Sequence, residues 1–519
     1  MSATDRATFA GRWRQAVAAA GERPFLRWED ADGRVTGWTY EEFDRLVSIV
    51  AGKLVACEVR PGASIHLALA NSPAFVSVWL AATLLGVRMI PSDPKATVRE
   101  LRGHISRTGP TVGICAVERA DVYREAAGGG PQTLVVDEPD PEVSALRAPP
   151  VNWSDIEHAQ PHDPAAVMFT SGTTSEPKGV VVTQANYAFA GDVMASAAAL
   201  SRFDRQLVVL PMFHANAQYY SFASAISVGA SVALMHAFSA TRFLEQATRH
   251  EASHASLFAA PMRMILARGA VPVEGIKLEH VWYAQNLTED QYDELGRLFG
   301  CRPRQLYGMT ETIPAVLTNR ALAPIPDSMG IPTLGCQVEL KGQESSEPVP
   351  PGEVGEVVVR GTPGTTLFAG YLDDPSTTAA SFRDGWFRTG DLARRDEHGN
   401  FYFEGRRSDV LKVSGENVSV VEVEAVLARH TSVLEAAVVG EPDPVRDEVP
   451  IAYVVQQPGK PVLDLDELGA WCSDRLSPVK RPRRIELVDE LPRTSVGKIR
   501  KFMLGRAEQA AASEGAEVK

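Results

Sequence analysis

From Trp38 to Asp93 the chain alternates two periodicities. A long amphipathic helical run, TYEEFDRLVSIVAGKLVA, is followed by the β-prone SIHLALA, a second helical run opened by Pro73, and a second strand. The alternation returns in QLVVLPM, SVALMHAF, HASLFAAP and HVWYAQN, short apolar strands separated by helical runs. A chain of this pattern must bury strands between layers of helices, which predicts α/β sheets covered on both faces. After Pro326 the texture changes to short alternating strands with Gly and Pro turns, such as VGEVVVRG and FYFEGRR, which predicts an antiparallel β section. Beyond Arg406 to Asp409, SVVEVEAVLARHTSVLEAAVVGEPD and VPIAYVVQQ read as helix, strand, turn, strand, and the tail AEQAAASEGAEVK reads as a frayed helix or disorder. The predicted fold class is α/β: a large N-terminal domain of α/β subdomains plus a β section, residues 1–407, and a small mobile α+β C-terminal domain, residues 408–519.

A chain of 519 residues exceeds what one core accommodates efficiently, which agrees with more than one domain. Apolar residues at 45% and charged residues at 23% are those of ordinary globular domains. The net charge of -13 repels nucleic acid and anionic membranes at long range, so a small-molecule substrate is the expected partner. The five cysteines, Cys57, Cys115, Cys301, Cys336 and Cys472, show no C-x-x-C spacing and read as inert thiols rather than a disulfide framework or zinc site. The N-terminal MSATDRATFAGRWRQ has no apolar signal region, and the apolar stretch Ala74 to Val87 is too short to cross a bilayer. That stretch reads as a core helix, and the expected location is cytoplasmic.

Chemistry concentrates in VMFTSGTTSEPKGVVVT, Val167 to Thr183, where β-prone segments flank a run of hydroxyl and glycine residues. Thr170, Ser171, Thr173 and Thr174 offer hydroxyls, Gly172 admits close backbone approach, and Lys178 supplies a point charge for phosphate oxygens. A P-loop would need glycine immediately before the lysine, and Pro177 stands there instead. An ordinary Ser/Thr-rich surface turn is the competing reading; a lysine between Pro and Gly directly before a VVVT strand argues against it.

This loop resembles that of the adenylate-forming superfamily: acyl-CoA synthetases, peptide-synthetase adenylation domains and luciferases. Ser175 stands where the family usually has glycine. Further matches follow in order, PMFHANAQ, YGMTET, GWFRTGDLARRDEHGNFYFEGRRSDVLKVSG and LPRTSVGKIRK, and cover most of the chain after residue 160. Within the superfamily, HANAQ, YGMTETI, PGTTLFAGY and SGENVS look most like crotonobetaine/carnitine-CoA ligases and related acyl-CoA ligases.

The resemblance implies site roles. Tyr307 would stack on adenine beside Gly308, Thr310 would contact the α-phosphate, and Glu311 would hold Mg2+, for which a carboxylate is a suitable hard ligand. Asp391 would accept both ribose hydroxyls with its two oxygens, and Arg406 would reach the ribose or phosphate. On that reading Asp391→Ala weakens ATP binding without opening a core cavity. His214, with Gly308, falls where the family borders the acyl pocket and coenzyme A tunnel. Ser408 holds the hinge position, more often aspartate or lysine. Lys412 and Gly415 belong to the C-terminal surface that faces the site during thioester formation, and Lys498 is the lysine that bridges substrate carboxylate and AMP. Lys480, Arg481, Arg483 and Arg484 form a short charge run that reads as a solvated face rather than a coenzyme A phosphate site.

The implied reaction is that of an acid-thiol ligase: a carboxylic acid, ATP and coenzyme A, with Mg2+, give acyl-CoA, AMP and pyrophosphate through an acyl-adenylate. Loading of a carrier protein is an alternative, although Ala215 stands where amino-acid-activating domains often place aspartate. A nucleotide-binding sensor with degenerate catalysis is the non-enzyme alternative, against which stand Lys178, Thr310, Glu311, Asp391, Arg406 and Lys498, all present. A homodimer is compatible with the reading. The usual Gly-Gly-Ala before YGMTE is replaced by Ala284-Gln285-Asn286, which leaves the acid unidentified.

Overall fold

Thr39 starts the first long helix of the alternating region. Its hydroxyl accepts from Glu42 N at 3.2 Å while Glu42 Oε2 accepts from Thr39 N at 2.8 Å, a reciprocal cap that leaves Phe43, Val47, Val50 and Leu54 on the buried face of Tyr40–Ala56. The apolar stretch beginning at Ala74 forms the helix Pro73–Leu84, every residue of which is buried, as a helix without a polar face requires. The computed structural model describes residues 7–170, 177–342, 345–414, 416–460, 462–493 and 499–504. Among them no helix is long and apolar enough to cross a membrane, and all five cysteines are free.

Two sheets build the large domain. In the first, Gln132–Val136, Val112–Ala116, Ser64–Ala68, Arg88–Pro91 and Pro164–Thr170 run parallel, and the antiparallel strands Lys178–Thr183 and Gly370–Tyr371 complete it. In the second, six strands run parallel: Pro24–Glu29, Ser231–Met235, Arg205–Val208, His254–Phe258, His280–Ala284 and Arg304–Tyr307. From Arg304–Tyr307 the sheet continues antiparallel through Leu317–Thr318, Ser328–Pro332, Phe401–Arg406, Trp386–Arg395, Val354–Arg360 and Gln337–Lys341. The antiparallel section expected after Pro326 is thus an extension of the second sheet.

A separate five-stranded sheet follows Arg406. The helix Val420–Ala428 and the antiparallel strands Val433–Asp443 and Asp447–Gln456 match the predicted order. Their core, Val413, Val418, Val423, Leu427, Val438, Val454 and Leu468 among others, is distinct from that of the large domain. The chain therefore has a mixed α/β N-terminal domain and a small C-terminal domain. The tail after Leu504 lies outside the described residues.

One element was not legible as such. Asn216–Ala223 is a π-helix, a widened turn that in proteins concentrates at functional sites. It carries Tyr219, Tyr220 and Phe222, all buried. Phe222 packs against Phe25 and Trp79 in the core, with ring centroids 6.4 and 6.0 Å away.

Gly330 sits at φ +90° where Ser328–Pro332 meets Phe401–Arg406, and a Cβ there would lie 2.0 Å from Thr318 O. Gly330→Ala meets backbone rather than a movable side chain. The left-handed conformation alone costs roughly 1–2 kcal/mol, and the clash adds to it. The expected outcome is a thermal midpoint lowered by at least a few degrees; an unchanged midpoint in a calorimetric scan would refute the packing described.

Candidate active site

The site forms where the two sheets of the large domain present their loops to each other. Thr170 and Lys178 are register partners at the loop end of a hairpin, with Thr170 Oγ1 3.5 Å from Lys178 O. The intervening Ser171, Gly172, Thr173 and Thr174, with Ser175, lie outside the described residues. The hairpin's outer strand pairs with Gly370–Tyr371, which brings the Tyr371 ring to Lys178, its centroid 4.8 Å from Nζ. The hydroxyl of Tyr371 donates to Glu311 Oε1 at 3.1 Å, and Phe368 N donates to Glu311 O at 2.9 Å. The loop hairpin, the Gly370–Tyr371 strand and the YGMTET segment thus meet around one carboxylate.

Glu311 is 4% exposed. Burial pushes its carboxyl above the ordinary range, opposed by a backbone hydrogen bond, by the Tyr371 hydroxyl, and by the charges of Lys178 and Arg406. Two residues later Ile313 stands at φ +71°, which a β-branched side chain strongly disfavours. Such strain concentrates at functional segments. Gly308 leaves no room for a side chain: a Cβ there would approach Pro314 O at 2.9 Å and Tyr220 Oη at 3.0 Å. The π-helix therefore backs directly onto the YGMTET segment, where Thr310 is half-buried.

A second carboxylate is set by strand register. Asp391 and Arg406 face each other across the Trp386–Arg395 and Phe401–Arg406 strands, and Arg406 Nε lies 3.0 Å from Asp391 Oδ1. Tyr307, last residue of the parallel run, donates its hydroxyl to Asp391 Oδ2 at 2.7 Å. Burial, with the Asp391 charge beside it, pushes the Tyr307 phenol well up, and Asp391 holds the Arg406 guanidinium above its ordinary range. The approach to Asp391 is braced by Glu356, 2% exposed, which accepts from Arg388 Nε at 2.8 Å and from Gly390 N at 3.1 Å. Glu356 and Tyr371 were missed from sequence. Both lie inside matched segments or strands, and only their pairing partners reveal what they hold.

The remaining candidates divide. His214 is half-buried two residues before the π-helix and packs on Phe213, with ring centroids 4.3 Å apart. Asn216, at the start of that π-helix, is buried with neither amide atom hydrogen-bonded among the described residues. Lys412 is exposed on a small-domain strand, its backbone N donating to Glu448 at 2.8 Å. Gly415, Lys498 and the side chain of Ser408 lie outside the described residues. In Ala284-Gln285-Asn286, Gln285 is left-handed at φ +74° and Asn286 Oδ1 accepts from Gln305 at 2.9 Å. Lys480, Arg483 and Arg484 of the basic run are each paired, with Glu422, Asp443 and Glu486.

Residues 13–372 match the family model of AMP-binding enzymes, and residues 422–498 match that of the AMP-binding enzyme C-terminal domain. The chain is 31% identical over 502 residues to a crotonobetaine/carnitine–CoA ligase of Proteus mirabilis, covering 94% of this chain and 96% of that protein. O-succinylbenzoate coenzyme A synthetase from Bacillus subtilis, in complex with ATP and magnesium ion, superposes with a TM-score of 0.82 at 28% identity, covering 95% of this chain and 98% of that one. A benzoate CoA ligase from Burkholderia xenovorans gives 0.84 at 25% identity, with 96% and 99% covered.

Asp391 is more deeply engaged than its motif suggests, being 5% exposed at the side chain. The expectation that Asp391→Ala affects nucleotide alone is therefore revised. Loss of the acceptor leaves the buried Tyr307 hydroxyl unpaired, at a cost of about 1–3 kcal/mol, even in ligand-free protein. Thermal unfolding without nucleotide should show Asp391→Ala clearly destabilised and Asp391→Asn less so; equal midpoints for wild type and Asp391→Ala would contradict the pairing.

Proposed function

The chain belongs to the AMP-binding enzyme family, and we propose from that membership that it activates a carboxylic acid with ATP and transfers the acyl group to coenzyme A. The observation that carries this reading is the convergence of Lys178, Glu311 and Asp391, a phosphate-type cation, a buried carboxylate and a paired carboxylate, on one side of the large domain.

Each group suits one part of the nucleotide. Tyr307 offers its ring to adenine. Asp391 keeps lone pairs on both oxygens for ribose hydroxyls beyond those engaged by Tyr307 and Arg406. Lys178 meets phosphate oxygens as a point charge. Thr310, next to Glu311, is assigned to the α-phosphate, and the hydroxyls of Thr170, Ser171, Thr173 and Thr174 to the outer phosphates. Magnesium fits Glu311: the ion takes one or two carboxylates and completes its shell with phosphates and water, and Tyr371 and Lys178 favour the ionised carboxylate it needs. Bound there, it neutralises polyphosphate charge. The acid's carboxylate oxygen attacks the α-phosphorus, the bond to pyrophosphate breaks, and the mixed anhydride forms; the chain's contribution is alignment and fixed opposing charge.

In the second step the coenzyme A thiolate attacks the anhydride carbonyl and AMP leaves. Gly415 and Lys412 are assigned to that arrangement and Lys498 to the first, with Ser408 at the pivot between residues 1–407 and 408–519. Support for Lys498 comes from its neighbours. Ile499 bridges back to Arg493, and the Arg500 charge acts on Glu100 of the helix Val98–Thr108. Arg107 of that same helix donates to Pro177 O, beside Lys178, at 2.6 Å. The Asn216 amide, buried two residues after His214 and without a hydrogen-bond partner among the described residues, supports an acid whose acyl group bears a hydrogen-bonding substituent.

The test is a panel of acids, including betaine-type, aromatic, short aliphatic and hydroxyl- or amide-bearing members. Acid-dependent pyrophosphate release and acyl-CoA mass are the readouts, with a holo carrier protein replacing coenzyme A in parallel. Thioester on free coenzyme A supports the reading. Thioester only on the carrier protein moves it to carrier loading, and no acid-dependent pyrophosphate with any member overturns it. Tyr371→Phe keeps the ring over Lys178 and removes the donor to Glu311. Its pyrophosphate release should fall tenfold or more, and low-pH activity should go first because the Glu311 carboxyl rises; a superimposable pH profile would contradict that role.

A further inference from the structure

The segments on either side of residues 171–176 are both held by one face of one helix. His104 and Arg107 stand three residues apart on Val98–Thr108 and therefore share a side of it. The imidazole of His104 stacks on Phe169, rings 4.1 Å apart and inclined by 5°. The Arg107 guanidinium lies 5.0 Å from the centroid of the same Phe169 ring and donates to Pro177 O at 2.6 Å. Phe169 directly precedes Thr170 and Pro177 directly precedes Lys178, the two members of one register pair. The helix thus touches one strand of the hairpin and the residue leading into the other, at the point where the hairpin's cation is presented.

His104 is in turn fixed from behind. Its Nδ1 is hydrogen-bonded to Ser92 Oγ at 2.7 Å, Ser92 Oγ to His66 Nε2 at 2.9 Å, and His66 Nδ1 to the Tyr123 hydroxyl at 2.8 Å. Burial lowers both imidazoles, His66 to about 3 and His104 to about 4, so His104 meets Phe169 as a neutral plate. A chain of four side chains from one strand, one strand end and two helices is more than a helix needs for packing alone. It determines the ring plane on which Phe169 rests.

We propose that Arg107, supported by the His104–Phe169 stack, is a positioning residue for the first half-reaction: it sets the distance between the Thr170 and Lys178 strands and so places Lys178 for the departing pyrophosphate. This rests on the reading of Lys178 as a phosphate ligand. Arg107 itself is exposed, so its removal opens no core cavity. Guanidinium suits the task better than ammonium, since its plane can lie over Phe169 while an N–H reaches the Pro177 carbonyl.

The experiment compares Arg107→Ala, Arg107→Lys and wild type in both half-reactions and in ligand-free form. Arg107→Ala should lower kcat for acid-dependent pyrophosphate release about tenfold, a change of 1.4 kcal/mol, with wild-type conversion of supplied acyl-adenylate and coenzyme A to thioester and an unchanged thermal midpoint. Arg107→Lys should recover part of the loss by donating to Pro177 O. Without nucleotide, trypsin should cut after Lys178 faster in Arg107→Ala than in wild type. Wild-type pyrophosphate release by Arg107→Ala, or an equal fall in both half-reactions, overturns the inference, as does an unchanged cleavage rate after Lys178. Wild-type protein that releases no pyrophosphate with any acid overturns the parent reading instead, and the cleavage comparison still decides whether Arg107 positions the hairpin.

Discussion

The pairing of Asp391 with Arg406 and Tyr307 is the contact on which the site depends. Strand register puts Asp391 opposite Arg406 at the end of the last large-domain strand, and the Tyr307 hydroxyl joins this antiparallel extension to the parallel run of the same sheet. One carboxylate therefore ties together three things: the C-terminal edge of the parallel strands, where α/β proteins bind ligands, the antiparallel section, and the exit toward the small domain. A nucleotide that engages Asp391 bears on the segment from which the small domain departs.

The other carboxylate works under opposite conditions. Glu311 is buried in a way that resists ionisation, and the groups that favour its charge, Tyr371, Lys178 and Arg406, come from three different segments. Such a group gains most from an added cation, because the cost of burying its charge falls when a partner arrives. The strained Ile313 and the side-chain-free Gly308 bracket it, so the peptide that carries Thr310 and Glu311 has little freedom to relax. Preorganisation of this kind is what differential stabilisation of a charged transition state requires.

Much of this was legible in the order of residues. The strand and helix alternation, the buried Pro73–Leu84 helix, the antiparallel section and the small domain's helix-strand-strand order follow from local periodicity and capping. Lys178, Glu311 and Asp391 were legible because motif spacing carries them. Tyr371 was not, since its importance comes from an edge strand paired to the loop hairpin from nearly two hundred residues away in sequence. Glu356, His104 and Arg107 were hidden for the same reason, as their roles lie in which neighbours they hold. The π-helix at Asn216 was invisible because its widened turn has no periodicity distinct from that of a helix.

In the proposed cycle one site serves two reactions, and the small domain's lysine belongs only to the first. The most direct measurement is therefore made on Lys498→Ala, assayed separately for acid-dependent pyrophosphate release from ATP and for conversion of a supplied acyl-adenylate and coenzyme A to thioester. The expected outcome is loss of the first by two orders of magnitude or more, the effect of removing one charge-stabilising group, about 2.7–4 kcal/mol, with the second near the wild-type rate. Survival of both activities, or an equal fall of both in a folded variant, would contradict it.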